Sequence, residues 1–202
     1  MYRNFLKRVF DFFAALIGLL IVSPIAMIIY VILWFTNDKK PLFLQPRPGK
    51  NEKIFTIYKF KTMTDKTDAD GNLLPDHMRV TRFGTFLRKS SLDEIPQLLN
   101  IVKGDMSLVG PRPLRVRYLP YYTKKEQIRH SIRPGVTGLA QVSGRNLLSW
   151  DEKLAKDISY VENLSLWLDV KILLKTVLKV IQSQNIELAP ASEDLDAIRK
   201  KT

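Results

Sequence analysis

The sequence predicts a mainly α fold with a small β-hairpin. An N-terminal re-entrant membrane helix-break-helix and amphipathic interfacial helices are expected around a compact cytoplasmic domain. Three observations lead there. Phe12 to Phe35 is a run of 24 residues without a charge, long enough for a membrane helix. Ser23-Pro24 falls at its centre, where proline removes a backbone bond and bends a helix. Arg3, Lys7 and Arg8 precede the run and Lys39 and Lys40 follow it, and positive flanks stay on the cytoplasmic side. A chain that enters, breaks at Ser23-Pro24 and returns keeps both flanks there; a kinked single span is the rival geometry. Ser23 can offer its hydroxyl to the carbonyls that the proline frees.

A length of 202 residues suits one domain with an appendage. The expected division is a membrane anchor over 1–38, a cytoplasmic domain over 39–186 and a polar, loosely held tail over 187–202. The net charge of +12 calls for an anionic partner: nucleic acid, phospholipid or a phosphorylated substrate. With no cysteine, a disulfide framework and a Cys-ligated metal are excluded. His77 and His130 lack ligand-like spacing and read as surface or turn residues.

Lys7, Arg8 and Asp11 fall on one helical face just before the apolar run. They form either flanking charge with a local ion pair or a lipid headgroup contact that fixes depth in the leaflet. Pro41 to Gln45 and Ile54 to Phe60 favour strands, and the turn Pro46 to Asn51 joins them into a hairpin. Lys59 and Lys61 alternate with Tyr58 and Phe60 and share a strand face, either solvated or in contact with phosphate. Asp65 to Pro75 is a surface loop; its Asp-Ala-Asp-Gly lacks the downstream glutamate of a calcium loop. Residues 82–89 read as a short helix leading into the chemically richest stretch, Ser90 to Pro113.

That stretch holds adjacent carboxylates, Asp93 and Glu94, and closes with Arg112 between two prolines. Ser91-x-x-Glu94 fits a capping box, with both residues satisfying amides of a helix start. Pro96 disturbs this reading. It suits the first helical position, which leaves Asp93 and Glu94 in the preceding turn, open to a ligand. Gly104 stops the helix. Further on, the segments at Arg133 to Gly138 and Val142 to Asn146 are Gly-rich loops, which either let backbone approach a ligand or simply connect. Residues 150–162 read as helical. Leu164 to Ile181 is amphipathic, with Lys171, Lys175 and Lys179 on one ridge and Leu168, Ile172, Leu173, Val177, Leu178 and Ile181 away from it. It is either a core-packing helix or, with Trp167 near one end, a helix in the membrane interface.

Together these pieces resemble the bacterial sugar transferase family of monotopic phosphoglycosyl transferases. The resemblance rests on Lys7-Arg8 with Asp11, Ser23-Pro24, Lys59-Phe60-Lys61-Thr62-Met63, Arg82-x-Gly84 with Leu87-Arg88, Ser91-Leu92-Asp93-Glu94-x-Pro96-Gln97, the run Gly104 to Pro113, Arg133-Pro134-Gly135-x-Thr137-Gly138 and Ser143-Gly144-Arg145. Ala140 departs from the aromatic residue that many relatives carry. The resemblance implies transfer of a sugar 1-phosphate from a UDP-sugar to polyprenyl (undecaprenyl) phosphate with release of UMP. It implies Mg²⁺ and a monotopic anchor on the cytoplasmic face of the bacterial inner membrane. Asp93 would be the nucleophile that forms an acyl phosphate, Glu94 would hold Mg²⁺, and Arg88, Arg112 and Lys59 would contact phosphate. Arg145 is a candidate for the nucleotide. Similarity within the family points to UDP-N,N′-diacetylbacillosamine and to the first membrane step of protein N-glycosylation, with later glycosyltransferases and anionic phospholipid as further partners and no nucleic acid. Hexose or N-acetylhexosamine donors, direct transfer without a covalent step, and a non-catalytic basic membrane-binding protein are the alternatives.

Overall fold

The computed structural model describes residues 1–144, 147–181 and 194–200. It is mainly helical with the expected small hairpin, and it carries a second small sheet. A π-helical turn at Tyr2–Leu6 leads into α1, Lys7–Thr36, which is one continuous helix with Pro24 inside it. The expected interruption at Ser23-Pro24 is therefore not a gap in the helix. Pro24 removes the amide that would bond the Leu20 carbonyl, and Ser23 Oγ donates to that carbonyl at 2.9 Å. The serine supplies the bond the proline deletes.

The buried residues of α1 are Lys7, Asp11, Ala15, Ile29 and Leu33, and Asn37 follows at its end. Together with half-buried Gly18, Val22 and Ala26 they form one stripe of three- and four-residue spacing. Leu20 and Ile21, on the other side, are 69% and 71% exposed. A single face thus rests on the body along the whole helix.

The hairpin is longer than the sequence suggested. Strand β1, Leu42–Pro48, pairs antiparallel with β2, Ile54–Phe60, from Leu42 opposite Phe60 to Pro48 opposite Ile54. Pro46 and Pro48 lie within β1, tolerated because it is an edge strand with no ladder on its far side. Beyond a four-residue helix α2, Asp76–Arg79, comes α3, Arg82–Lys89. A 3₁₀ turn, Leu92–Glu94, precedes α4, Gln97–Lys103. Gly104, at φ +95°, ends α4 as expected.

A second sheet is absent from the sequence reading. β3, Ser107–Val109, runs parallel to β4, Gly135–Thr137. Ile132, Val142, Tyr160, Val161 and Ile172 pack around Val109 to form one core. Around this core lie α5, Leu139–Ser143, α6, Trp150–Glu162, and α7, Leu166–Ile181. α6 opens with a capping box, Ser149 to Glu152.

α7 packs on the core along one side and leaves apolar residues exposed on another. Ile172, Leu168 and Leu173 face the core, while Trp167, Leu174, Val177 and Leu178 are exposed. Of the apolar residues that the sequence set away from the lysine ridge, Val177 and Leu178 are thus on the exposed side. The tail also differs from expectation over its described part. α8, Leu195–Arg199, buries Leu195 fully, and Asp194 takes Arg115, Arg117 and the Tyr118 hydroxyl. His130 is buried too, not at the surface. Burial, with Arg129 adjacent, pushes its pKa down to about 4, so it is neutral.

Candidate active site

Asp93 and Glu94 lie in the 3₁₀ turn immediately before α4. The capping box does not form. Ser91 makes no capping bond and adopts a left-handed conformation, φ 56°, at a strain of about 1 kcal/mol or more for a residue with a side chain. Pro96 caps α4 one position earlier than the sequence suggested. Glu94 is consequently released from helix capping and turns toward cations.

Lys59 Nζ donates to Glu94 Oε1 at 2.5 Å and Arg112 Nη2 donates to the same oxygen at 2.6 Å. Lys59 also stands 3.9 Å from Asp93 Oδ2. Among the described residues Asp93 accepts no hydrogen bond. The two carboxylates therefore diverge in character. Burial works to raise the Glu94 pKa, but the charges of Arg112 and Lys59 and their hydrogen bonds outweigh it and hold Glu94 well below the ordinary carboxylate range. Burial pushes Asp93 up, and neighbouring Glu94 adds to this, against the pull of Lys59, Arg112 and Arg88. Asp93 is thus a half-buried carboxylate without a hydrogen bond, made more basic than usual, a state chemically suited to nucleophilic attack.

Each flanking cation has its own support. Lys59 comes from the end of β2, and Asn100 ties that strand to α4. Asn100 Nδ2 donates to the Thr56 carbonyl at 2.8 Å, and its Oδ1 accepts from the Tyr58 amide at 3.1 Å. Lys61 does not share the role of Lys59; the strand has ended, and Lys61 pairs with Asp65. Arg88 Nε donates to Thr62 Oγ1 at 2.9 Å. Gly84 makes this possible, since a methyl group there would collide with the Thr62 carbonyl and hold α3 away.

Arg112 sits on the loop that leaves β3. The Gly110 amide donates to Thr137 and the Gly135 amide to Pro111, at 2.9 and 3.0 Å. A methyl group at Gly110 would stand 2.6 Å from the Arg133 carbonyl oxygen. The glycines of this motif thus allow two backbones to meet each other; ligand approach is not needed to explain them. Arg129, 2% exposed, donates to the Arg112 carbonyl at 2.6 Å and binds Asp157 Oδ2 through Nε and Nη2. Arg47 adds a further cation. Burial and the charges of Arg112 and Arg115 push its pKa down to about 10.

The anchor residues are not at this site. Lys7 Nζ binds Asp169 Oδ2 at 2.7 Å and lies 3.9 Å from Asp11. Asp11 accepts from Ser107 Oγ and the Leu108 amide, and Asp169 accepts from the hydroxyls of Tyr2 and Tyr160. Arg8 donates to the carbonyls of Ile101 and Val102 at the end of α4, a favourable place for a cation. Lys7 is 7% exposed, and its ammonium is engaged by the two carboxylates. Arg145 lies outside the described residues. Sequence reasoning missed Asn100, Arg129, Asp157 and Asp169. The first was detectable as a polar residue amid the apolar residues of α4; the others carry no local signal.

No group of three His, Cys, Asp or Glu that could hold a metal occurs among the described residues. An oxygen-loving cation bound jointly with substrate phosphate does not require one. Glu94 Oε2 and both Asp93 oxygens remain outside the hydrogen bonds that occupy Glu94 Oε1, so the donor set fits Mg²⁺.

Comparison with known proteins identifies the family. The bacterial sugar transferase family matches over residues 2–183. The chain belongs to that family. It is 50% identical to an uncharacterized sugar transferase of Bacillus subtilis, EpsL, over 90% of each chain. It is 40% identical to the undecaprenyl-phosphate galactose phosphotransferase of Salmonella typhimurium, covering 89% of this chain and 41% of that protein. It is 37% identical to the UDP-N-acetylgalactosamine-undecaprenyl-phosphate N-acetylgalactosaminephosphotransferase of Aeromonas hydrophila, covering 88% of this chain and 44% of that protein. The chain thus spans less than half the length of these two named phosphotransferases.

Proposed function

We propose that this protein transfers a sugar 1-phosphate from a UDP-sugar to undecaprenyl phosphate and releases UMP. The observation that carries the reading is the unequal dyad. Glu94 is held through one oxygen by Lys59 and Arg112, while Asp93 beside it is unbonded and basic.

In the first step an Asp93 oxygen attacks the sugar-bearing phosphorus. The bond to the UMP oxygen breaks, UMP leaves with the electron pair, and Asp93 carries the phosphosugar as an acyl phosphate. In the second, a phosphate oxygen of the lipid attacks the same phosphorus, and the Asp93 carboxylate is regenerated. A carboxylate approaching a diphosphate meets strong repulsion, which Arg88, Arg112 and Lys59 relieve by binding phosphate oxygens. Glu94 holds Lys59 and Arg112 in place before substrate arrives. Mg²⁺, bound by Glu94 with the substrate phosphates, would supply further charge neutralisation there.

The names of the relatives cover galactose, glucose and N-acetylgalactosamine, so the donor range proposed here includes hexoses and N-acetylhexosamines beside the diacetamido sugar. The same reading lays α1 in one leaflet on the cytoplasmic face of the inner membrane. In support, its opposite ends meet one body: Lys7 bonds Asp169, and Asn37 Nδ2 bonds the Lys61 carbonyl at 3.0 Å. A perpendicular span would part from that body at one end.

The test is the intact mass of detergent-purified protein mixed with Mg²⁺ and a panel of UDP-sugars, without lipid. A phosphosugar adduct on the wild type, absent from Asp93→Asn, is expected. UMP release that needs lipid and never yields an adduct would replace the covalent route with direct transfer. No turnover with any donor would overturn the assignment.

A further inference from the structure

A cavity of about 400 Å³ lies away from the dyad, with walls formed by Arg3, Lys7, Arg8, Asp11, Lys50 and Arg133. It adjoins the C-terminal end of α4, where Arg8 caps the last carbonyls. Asp93 and Glu94 precede the opposite end, roughly 10 Å away along this seven-residue helix. The cavity is therefore separate from the proposed phosphate-transfer site.

Five cations face it and one carboxylate. Asp11 is already committed to Lys7, Ser107 and the Leu108 amide, and Lys7 is paired with Asp169. Among the described residues Arg3, Lys50 and Arg133 have no carboxylate partner. Arg3 donates to Ser131 Oγ, and Arg133 Nε donates to the Gly104 carbonyl. Three cations converging on a polar cavity without counter-charge constitute a site for an anion.

Its position selects the anion. Phe5, Phe10 and Phe13, beside the Arg3 to Asp11 wall, are each more than half exposed. Leu164, another wall residue, lies two residues before α7, whose Trp167, Leu174, Val177 and Leu178 face outward. The cavity opens where two exposed apolar faces begin, which is headgroup depth for a helix pair lying in the interface. We propose that this cavity binds the phosphate of an anionic membrane lipid as a structural lipid, distinct from donor and acceptor substrates. The inference rests on the in-plane placement of α1 given above and is independent of the chemistry at Asp93.

The test uses the full chain in neutral detergent, titrated with dioleoylphosphatidylglycerol, dioleoylphosphatidylcholine or inorganic phosphate. Bound lipid is counted by native mass spectrometry. The wild type should retain phosphatidylglycerol in preference to phosphatidylcholine. The double variant Arg3→Gln, Lys50→Gln should bind it about thirtyfold more weakly, from the loss of two juxtamembrane charges. Both side chains are exposed, so the variant should melt as the wild type does and should still form the Asp93 adduct. Equal phosphatidylglycerol affinity in the two proteins overturns the proposal, as does equal retention of the two lipids. Displacement of phosphatidylglycerol by equimolar inorganic phosphate would assign the site to free phosphate and overturn the lipid. Loss of the Asp93 adduct in the wild type, with lipid preference intact, would instead count against the transferase reading alone.

Discussion

Replacing Lys7 by Met separates a packing role from a membrane role for the anchor's charges. Lys7, Asp11 and Asp169 are 7%, 4% and 4% exposed, and the ammonium is 2.7 Å from Asp169 and 3.9 Å from Asp11. Removing one partner of a buried ion pair costs about 3–5 kcal/mol because the other charge is stranded. Here the lower figure applies. Asp169 keeps two tyrosine hydroxyls, both at 2.6 Å, and Asp11 keeps Ser107 and the Leu108 amide. A loss of about 3 kcal/mol lowers the melting temperature of a protein of this size by about 6–12 °C. The assay is thermal unfolding of purified protein in lipid-free neutral detergent. Asp169→Asn added to Lys7→Met should cost less than the sum of the two single changes, since the stranded carboxylate is gone. A Lys7→Met loss below about 1 kcal/mol in lipid-free detergent, with weakened binding to anionic vesicles, would refute the buried-network account and restore a headgroup role.

The dyad gives a pair of opposite shifts. Ionised Asp93 opposes folding, because its folded-state pKa is raised by burial first of all; Asp93→Asn should therefore raise the melting temperature at pH 7 while abolishing adduct formation. Glu94, held well below its ordinary value, stabilises the fold above that value and loses this as pH falls through the depressed one; Glu94→Gln should melt lower, and shifts of the same sign in both variants would contradict the electrostatics. Because Asp93 must be ionised to attack, the rate of adduct formation should fall on the acid side at a pH above the ordinary aspartate value of 3.8; single-turnover rates across pH that hold steady down to that value would remove it as the titrating nucleophile. Gly135→Ala would push the methyl group into Gly110 and the Thr137 carbonyl; melting curves should show about 1–3 kcal/mol lost and transfer assays a large drop as Arg112 shifts, whereas wild-type rates would show that the β3–β4 contact does not position Arg112.

What the sequence made legible was local. Asp93, Glu94 and Arg112 stand in one stretch of 24 residues, and Pro96 and Gly104 bound its helix within a residue of where their backbone chemistry requires. The apolar run and the α6 and α7 helices were legible because each repeats a spacing over many residues. The capping-box expectation failed because Ser91 takes a left-handed conformation that no sequence spacing reveals. β3 and β4 were missed because two three-residue strands are too short to show alternation. The Arg129–Asp157 and Lys7–Asp169 pairs join residues 28 and 162 positions apart, and a buried charge of this kind reads in sequence as an ordinary solvated one. His130 was misplaced because its burial, too, depends on residues distant in sequence.

The separation of Lys7 from Asp169 also sets an order of events during synthesis. At about 5–20 residues per second, the ribosome needs roughly 8–32 s to make the 162 residues between them. Throughout that interval the polar stripe of α1 has no partner from α7, and Asp11 waits roughly 5–19 s for Ser107, 96 residues on. The apolar helix must therefore be held by lipid or by a chaperone while its permanent seat is still being translated. Insertion comes first and locking comes last, so a truncation before residue 169 should leave a membrane-bound chain that protease can still digest around Lys7.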